Sequence, residues 1–332
     1  MVRGEQTGEE RLIARHFKPL ARTPGAFGLI DDAAVLRHPR GHELVLTVDA
    51  IVAGVHFFPS DPPDVVARKA LRVNLSDLAA KGATPTGFLL TLALPKPIGD
   101  AWLKLFTRAL GNDATRFGCP LLGGDTVFTP GPLTISIAAF GTLPTGSMVQ
   151  RSGAGPGDHV VVTGTIGDAA LGLRLKTDPS AARRWRLNAI DRRYLVQRYL
   201  VPEPRNALAE AVRECASAAI DVSDGLAGDF GKLCRASGVA AEVEAARVPL
   251  SAGARAALAI DRKLFASLVT GCDDYEIVAT VPPSKIAALE AAAKAAKVPL
   301  SRIGRVMRGR GARFLDSAGR RLSFAQTSFS HF

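Results

Sequence analysis

The sequence is short of the residues that most often announce a chemistry. It has four cysteines and six histidines among 332 residues. Cys119, Cys215, Cys234 and Cys272 form no CxxC pair, and their spacing fits neither a zinc site nor a disulfide framework. They read as reduced thiols, small and suited to a core. No apolar run approaches the length needed to cross a bilayer, and the longest, such as that around Phe88 to Leu94, are strand-sized. The segment Met1 to Arg15 is charged and carries no apolar stretch of the kind that directs secretion, so a cytoplasmic protein with no membrane partner is the expectation. Missing motifs exclude whole classes. There is no Gly-x4-Gly-Lys-Ser/Thr phosphate loop. The protein-kinase motifs His-Arg-Asp and Asp-Phe-Gly do not occur as a set. Gly164 to Ala170 (GTIGDAA) follows a strand and opens a helix, as a phosphate-binding turn does, but departs from GxGxxG and lacks the acidic partner of a dinucleotide site. The absence of Gly-x-Ser-x-Gly argues against an α/β-hydrolase.

What is present is ample for a folded enzyme. Hydrophobic residues make up 47%, enough for a sizeable core, and the length suggests two domains. Gly (32) and Pro (21) occur at ordinary levels, which argues against global disorder. The net charge of +11 invites a nucleic-acid reading. However, the basic residues are scattered, and the densest group (Arg183, Arg184, Arg186, Arg192 and Arg193) falls on a surface insert, Thr177 to Asp191. With no aromatic-rich or helix-turn-helix pattern beside them, they read as a solvated surface that also attracts anionic substrates, and no nucleic-acid partner is expected.

Strand-like and helix-like segments alternate. Glu43 to Asp49 reads as a strand with Leu44, Leu46 and Val48 on one face and Val45, Thr47 and Asp49 on the other. Asp64 to Ala80 reads as a helix stopped by Gly82, Phe88 to Leu94 as a strand, Ala101 to Phe117 as a helix with Leu103, Phe106, Leu110 and Phe117 on its apolar side, and Leu133 to Phe140 as a strand. Gly141 to Asp158 is dense in Gly and Pro and marks a domain boundary, giving domains over 1–144 and 145–332. The pattern restarts with strand His159 to Thr163, helix Asp168 to Leu175, strand Ala218 to Val222, a helix from Leu226, strand Tyr275 to Val281 and a helix from Lys285. Both halves are mixed α/β, with α+β-type mixed sheets.

The informative residue is aspartate. It recurs at the ends of elements beside small residues: Asp31-Asp32, Asp49, Asp77, Asp125 in LLGGDT, Asp221 and Asp224 in AIDVSDG, and Asp273-Asp274 in TGCDDYE. Carboxylate oxygens suit Mg²⁺, which keeps water and phosphate in its shell. A single loop Asp is usually a turn former or a helix cap, and Asp224 and Asp274 taken alone read that way. Repetition at strand ends, where α/β sheets place ligand sites, raises the metal reading. Gly123 and Gly124 allow close approach of backbone to a phosphate, with Asp125 placed to hold a bridging metal; the competing reading is a tight turn before a strand.

The ordered set GEERLI, DDAAVL, VDAIVAGVHF, KALRVNLSDLAAKGATP, LLGGDT, RSGAGPGD, VTGTIGDAALGL, IDVSDGL, DDYEI and the closing HF covers nearly the whole chain. It resembles the thiamine-monophosphate kinase family, within the wider aminoimidazole ribonucleotide synthetase-like superfamily. The resemblance implies a two-domain α/β fold in which the N-terminal domains of a homodimer pair into a β-barrel. It implies ATP-dependent phosphorylation of thiamine monophosphate to thiamine diphosphate with several Mg²⁺ ions. Carried over by motif, Asp32, Thr47, Asp49, Asp77, Asp125, Asp221 and Asp224 fall on metal positions. Gly124, Asp125, Arg151 and Ser223 fall on nucleotide positions, and His56, Asp273 and Gln326 on acceptor positions. No residue is implied as covalent nucleophile or base. The acceptor positions depart most from the family. Cys272-Asp273 replaces Gly-Glu, Gln326 replaces an aromatic, Ser328-Phe329-Ser330 replaces Gly-Tyr-Asp, and Ile30 replaces Gly before the Asp pair. Other superfamily members fit less well: no cysteine precedes Cys119, as selenophosphate synthetase would need, and the chain ends in Phe332 rather than in the cysteine of the hydrogenase-maturation member. A basic scaffold or nucleic-acid-binding protein would leave the aspartates unexplained.

Overall fold

The computed structural model describes residues 8–95 and 98–328. Phe329 and the closing His331-Phe332 lie outside the described residues. The chain divides into two compact units, residues 1–78 with 84–146, and residues 79–83 with 147–332.

The first unit contains α1 (Gly8–Leu12), β1 (His42–Val52), α2 (Pro63–Ala80), β2 (Thr84–Leu94), α3 (Asp100–Arg116), β3 (Leu121–Phe128) and β4 (Thr134–Pro144), although the last two residues of α2 belong to the second unit. Its sheet runs β1-β4-β2-β3, with β4 antiparallel to both neighbours and β2 parallel to β3. β1 and β3 are therefore the edges. Leu103, Phe106 and Leu110 of α3 are buried, as the helical period requires. Burying a ring such as that of Phe106 contributes about 2–3 kcal/mol. Trp102 stacks on it at 5.0 Å. Phe117 ends the helix under the guanidinium of Arg72, which also forms a buried ion pair with Asp113 at 2.6 Å.

The sheet is covered on one face only. Val45 and Ile51 of β1, Ile135, Ile137 and Ala139 of β4 and Phe88, Leu90 and Leu92 of β2 are buried. The alternate residues Leu44, Leu46, Val48 and Leu89 are exposed, with Leu46 at 67% and Val48 at 64%. The period-two reading of β1 holds, but its apolar row is the open one.

The second unit contains β5 (His159–Thr163), α4 (Asp168–Thr177), α5 (Ala181–Arg184), α6 (Ala189–Leu200), α7 (Ala209–Cys215), β6 (Ala218–Val222), α8 (Leu226–Ser237), β7 (Ala240–Glu244), α9 (Ala252–Ile260), α10 (Leu264–Thr270), β8 (Glu276–Val281), α11 (Ile286–Ala295), β9 (Leu300–Met307), β10 (Gly311–Leu315) and β11 (Arg321–Leu322). Seven strands form one mixed sheet, ordered β11-β10-β7-β9-β5-β8-β6. One core packs α8 (Phe230, Leu233) on β5, β6 and β7, and another packs Val212, Ile286 and Leu289 on Val161, Ala219 and Ile277. The insert is structured: Trp185, 2% exposed, packs with Leu171, Leu175, Leu195 and Leu268, while Arg183, Arg184, Arg186, Arg192 and Arg193 stay exposed. Cys119, Cys215 and Cys234 are buried; burial pushes the Cys119 thiol up to about 12 and the Cys234 thiol to about 11.

Candidate functional site

The predicted residues of the first unit form two groups. One gathers between β1 and α2. Thr47 and Asp49 alternate with the exposed row of β1 and so face the covered side. The Thr47 hydroxyl donates to Asp77 Oδ2 at 2.5 Å, and the Asp49 backbone N–H donates to Asn74 Oδ1 at 3.0 Å. Asn74 and Asp77 stand three residues apart on α2 and so share a face. Asn74 is a member the sequence reading missed; that helical spacing from Asp77 was the available signal. Nearby in sequence, His56 Nδ1 accepts the Val52 N–H at 3.0 Å. An accepting Nδ1 puts the proton of a neutral ring on Nε2 and makes that nitrogen the donor. The ammonium of Lys69, 2% exposed, donates to the His56 carbonyl at 2.8 Å and holds the loop.

The other group surrounds a cavity of about 770 Å³ lined by Asp31, Asp32, Gly123, Gly124 and Asp125, with apolar walls that include Phe17 and Leu46. GGDT is not a turn before a strand: it lies inside β3, where Gly124 pairs with Leu90 and Asp125 with Thr91 of β2. A Cβ at Gly124 would sit 1.9 Å from the Leu90 carbonyl oxygen, so only glycine allows the two strands this approach. The register runs Ala50–Ser136–Thr91–Asp125 across the sheet, which places Asp125 on the open face. Asp49 and Asp125 thus stand on opposite faces of opposite edge strands, with β4 and β2 between them. Three strand spacings amount to about 14 Å.

In the second unit β6 delivers Asp221, 5% exposed, followed by Ser223, Asp224 and Gly225 before α8. Gly225 has φ 118, and a Cβ there would meet the Thr270 backbone at 2.7 Å. The Asp224 N–H donates to Asp229 Oδ2 at 2.9 Å, and the Lys232 ammonium bonds both carboxylates, at 2.6 and 2.8 Å. Burial raises the pKa of Asp229 despite Lys232. Burial alone would lower Lys232, but its two carboxylate partners outweigh it and raise the ammonium. Asp229-Phe230-Gly231 spells the kinase tripeptide, yet it lies within α8 with all three residues buried, as a helix cap and core element. Arg151 is exposed, and its carbonyl accepts the Ser237 hydroxyl.

Of the acceptor positions, Gln326 lines a second cavity of about 800 Å³ in this unit, together with Arg174, Trp185, Thr270 and Cys272 among others, whereas His56 belongs to the first unit. Asp273 adjoins it, with a left-handed backbone (φ 75) and its N–H donating to the Ser223 carbonyl at 2.8 Å. Gln326 and Cys272 are therefore brought together, and the insert, read from sequence as surface, supplies Trp185 and Arg184 to the cavity wall.

Among the described residues, no three His, Cys, Asp or Glu side chains are drawn together closely enough to hold a metal by themselves. The donors nevertheless fit magnesium: all are carboxylate or hydroxyl oxygens, and Mg²⁺ typically takes one or two protein carboxylates and completes its shell with phosphate and water.

Comparison with known proteins adds the following. Residues 30–143 match the AIR synthase related protein N-terminal domain, and residues 155–316 match the C-terminal domain of the same family. The thiamine-monophosphate kinase of Caulobacter vibrioides is 45% identical over 309 residues, covering 90% of this chain and 84% of the relative. The crystal structure of thiamine-monophosphate kinase from Stenotrophomonas maltophilia superposes with a TM-score of 0.82 at 36% identity, covering 92% of this chain and 94% of that one. A structure described as AaThiL complexed with AMPPCP and TMP superposes with a TM-score of 0.77 at 28% identity, covering 93% and 97%.

Proposed function

The chain belongs to the thiamine-monophosphate kinase family of AIR synthase related proteins, and we propose that it phosphorylates thiamine monophosphate with ATP, giving thiamine diphosphate and ADP. The observation that carries this is the first cavity, where Asp32 and Asp125 stand exposed beside the Gly123-Gly124 stretch of β3. Such a place suits a polyphosphate, because carboxylates able to hold its magnesium ions line a cavity large enough for it.

The acceptor's phosphate oxygen attacks the γ-phosphorus, and the bond from that phosphorus to the β-bridging oxygen of ATP breaks. A phosphomonoester has a second pKa of ~6, so the nucleophile is already ionised and needs no base. The task of the protein is to hold two anions in line. On the family pattern, Gly124, Arg151 and Ser223 contact the nucleotide. His56, through its Nε2 proton, Asp273 and Gln326 contact the acceptor. Asp32, Thr47, Asp49, Asp77, Asp125, Asp221 and Asp224 hold magnesium, which when bound neutralises and aligns the phosphates. At Asp224 the cation must share the carboxylate with Lys232 or displace it.

We also propose a homodimer. The open face of the first sheet carries Leu46, Val48 and Val127, the last 42% exposed, a row too apolar to be left in water. Both edges of that sheet bear proposed ligands. The cytoplasm, where ATP is abundant, is the proposed compartment; no helix of the described residues is long and apolar enough to cross a membrane.

The test is an ADP-release assay with ATP, Mg²⁺ and thiamine monophosphate, run beside thiamine and aminoimidazole-pathway substrates, with the product identified by mass. Turnover with thiamine monophosphate alone is expected. Turnover only with another acceptor would move the chain elsewhere in its superfamily. For the dimer, Leu46→Asp should halve the mass measured by light scattering; an unchanged mass would place the interface on another face.

A further inference from the structure

One buried carboxylate has no part in the scheme above. Asp274 is 1% exposed and lies between two residues with left-handed backbones, Asp273 (φ 75) and Tyr275 (φ 51). Neither is glycine, and each such residue costs on the order of 1 kcal/mol unless its surroundings hold it. The surroundings do so in two directions. The N–H groups of Asp273 and Tyr275 donate to the carbonyls of Ser223 and Val222, each at 2.8 Å. The carboxylate of Asp274 reaches the other way, accepting the N–H groups of Gly167 and Ala169 at 2.7 and 3.3 Å where α4 begins. Its carbonyl accepts Arg198 Nη2 at 2.9 Å, and the same nitrogen bonds Glu276 Oε1 at 3.0 Å. Arg205 forms a second ion pair with Glu276, and the Thr163 hydroxyl donates to Glu276 Oε2 at 2.7 Å. The turns have no slack. A Cβ at Gly271 would lie 2.4 Å from that of Ala170, and one at Gly167 would lie 2.7 Å from the Leu268 Cα.

From this geometry we infer that Asp274 is a positioning residue for the kinase reaction: it clamps the 272–275 loop between the 222–225 turn and the start of α4, and so presents the Asp273 carboxylate to the acceptor. The inference rests on the proposed acceptor role of Asp273. Losing the clamp lets the loop relax out of its left-handed backbone and carries the Asp273 carboxylate away.

The experiment compares steady-state kinetics of wild type, Asp273→Ala, Asp274→Asn and the double variant, with thermal melts. Asp274→Asn keeps the shape but presents an amide where two N–H groups converge. It should raise KM for thiamine monophosphate about tenfold or more, since small misplacements are costly, with KM for ATP within about twofold. The double variant should be no worse than Asp273→Ala alone, because both changes remove one contact. KM does not depend on how much of the enzyme is folded, so partial instability leaves the readout intact; Asp274→Ser, which keeps a smaller acceptor, serves if Asp274→Asn does not fold. A uniform fall in kcat with both KM values unchanged, or effects that add in the double variant, would reduce Asp274 to a structural role and overturn the proposal. If wild type turns over thiamine monophosphate but Asp273→Ala leaves its KM unchanged, the acceptor role of Asp273 and the inference fall together. If wild type does not turn it over at all, the proposed function is what fails.

Discussion

Asp32 and Asp125 in the first unit and Asp168, Asp229 and Asp274 in the second are the same side chain in opposite settings. The first two are exposed at a cavity. The other three are buried, and each is bonded by neighbouring groups. Asp168 accepts the hydroxyls of Ser251 and Thr165, Asp229 accepts Lys232 and the Asp224 N–H, and Asp274 accepts two N–H groups at a helix start. Burial raises the pKa of all three. Asp32 and Asp125 stay solvated, where an incoming cation can reach them. A carboxylate that holds loops together is desolvated at a cost, and its hydrogen bonds offset that cost.

Substitutions at the two groups should therefore separate activity from stability. The largest effect is expected for Asp125→Asn, which should lower kcat/KM at least about a hundredfold while the melting temperature stays put, as for an exposed site. An active variant would remove Asp125 from the metal set; a destabilised one would show that the contrast between the groups is misdrawn. Next is Asp168→Ala, which leaves the Ser251 and Thr165 hydroxyls without their buried acceptor. It should cost about 2 kcal/mol, seen as a lower denaturation midpoint with acceptor and nucleotide KM little changed. Smaller still is the pH dependence of the buried group. Because the folded pKa of Asp168 lies above its ordinary value, the native state binds more protons than the unfolded chain in the interval between the two. Its contribution is greatest below the ordinary carboxylate pKa of 3.8 and is lost as pH rises through the raised folded value. Denaturation of Asp168→Asn across that interval should show a stability less negatively sloped against pH than wild type. An identical slope would mean that Asp168 titrates normally.

Much of this was legible locally. The alternation in β1, the apolar side of α3 and the glycine turn before α4 were each read from a few neighbouring residues, and each element is present. What failed to show depends on partners distant in sequence. For GGDT the tight turn stands only as a competing reading, and sequence does not dismiss it because the parallel pairing with β2 is not a local property; the steric reason for Gly124 is the Leu90 carbonyl 34 positions earlier. The alternation in β1 separates its two faces but does not say which one is covered, and only its neighbours show the apolar row to be open. Arg198 and Arg205 passed as scattered surface charge, whereas both pair with the fully buried Glu276, more than seventy residues on. Asp274 was read, taken singly, as a turn former or cap. It does cap a helix, but that helix begins a hundred residues before it.

The chain holds two tryptophans, and they fall one to each unit. Trp102 stacks on Phe106 in the first, while Trp185 is buried in the second at the wall of the cavity shared with Gln326 and Cys272. Each unit therefore carries its own intrinsic fluorophore. With Trp102→Phe and Trp185→Phe variants, a fluorescence titration can report on one unit at a time, so that nucleotide and acceptor can be followed separately in a single unlabelled enzyme.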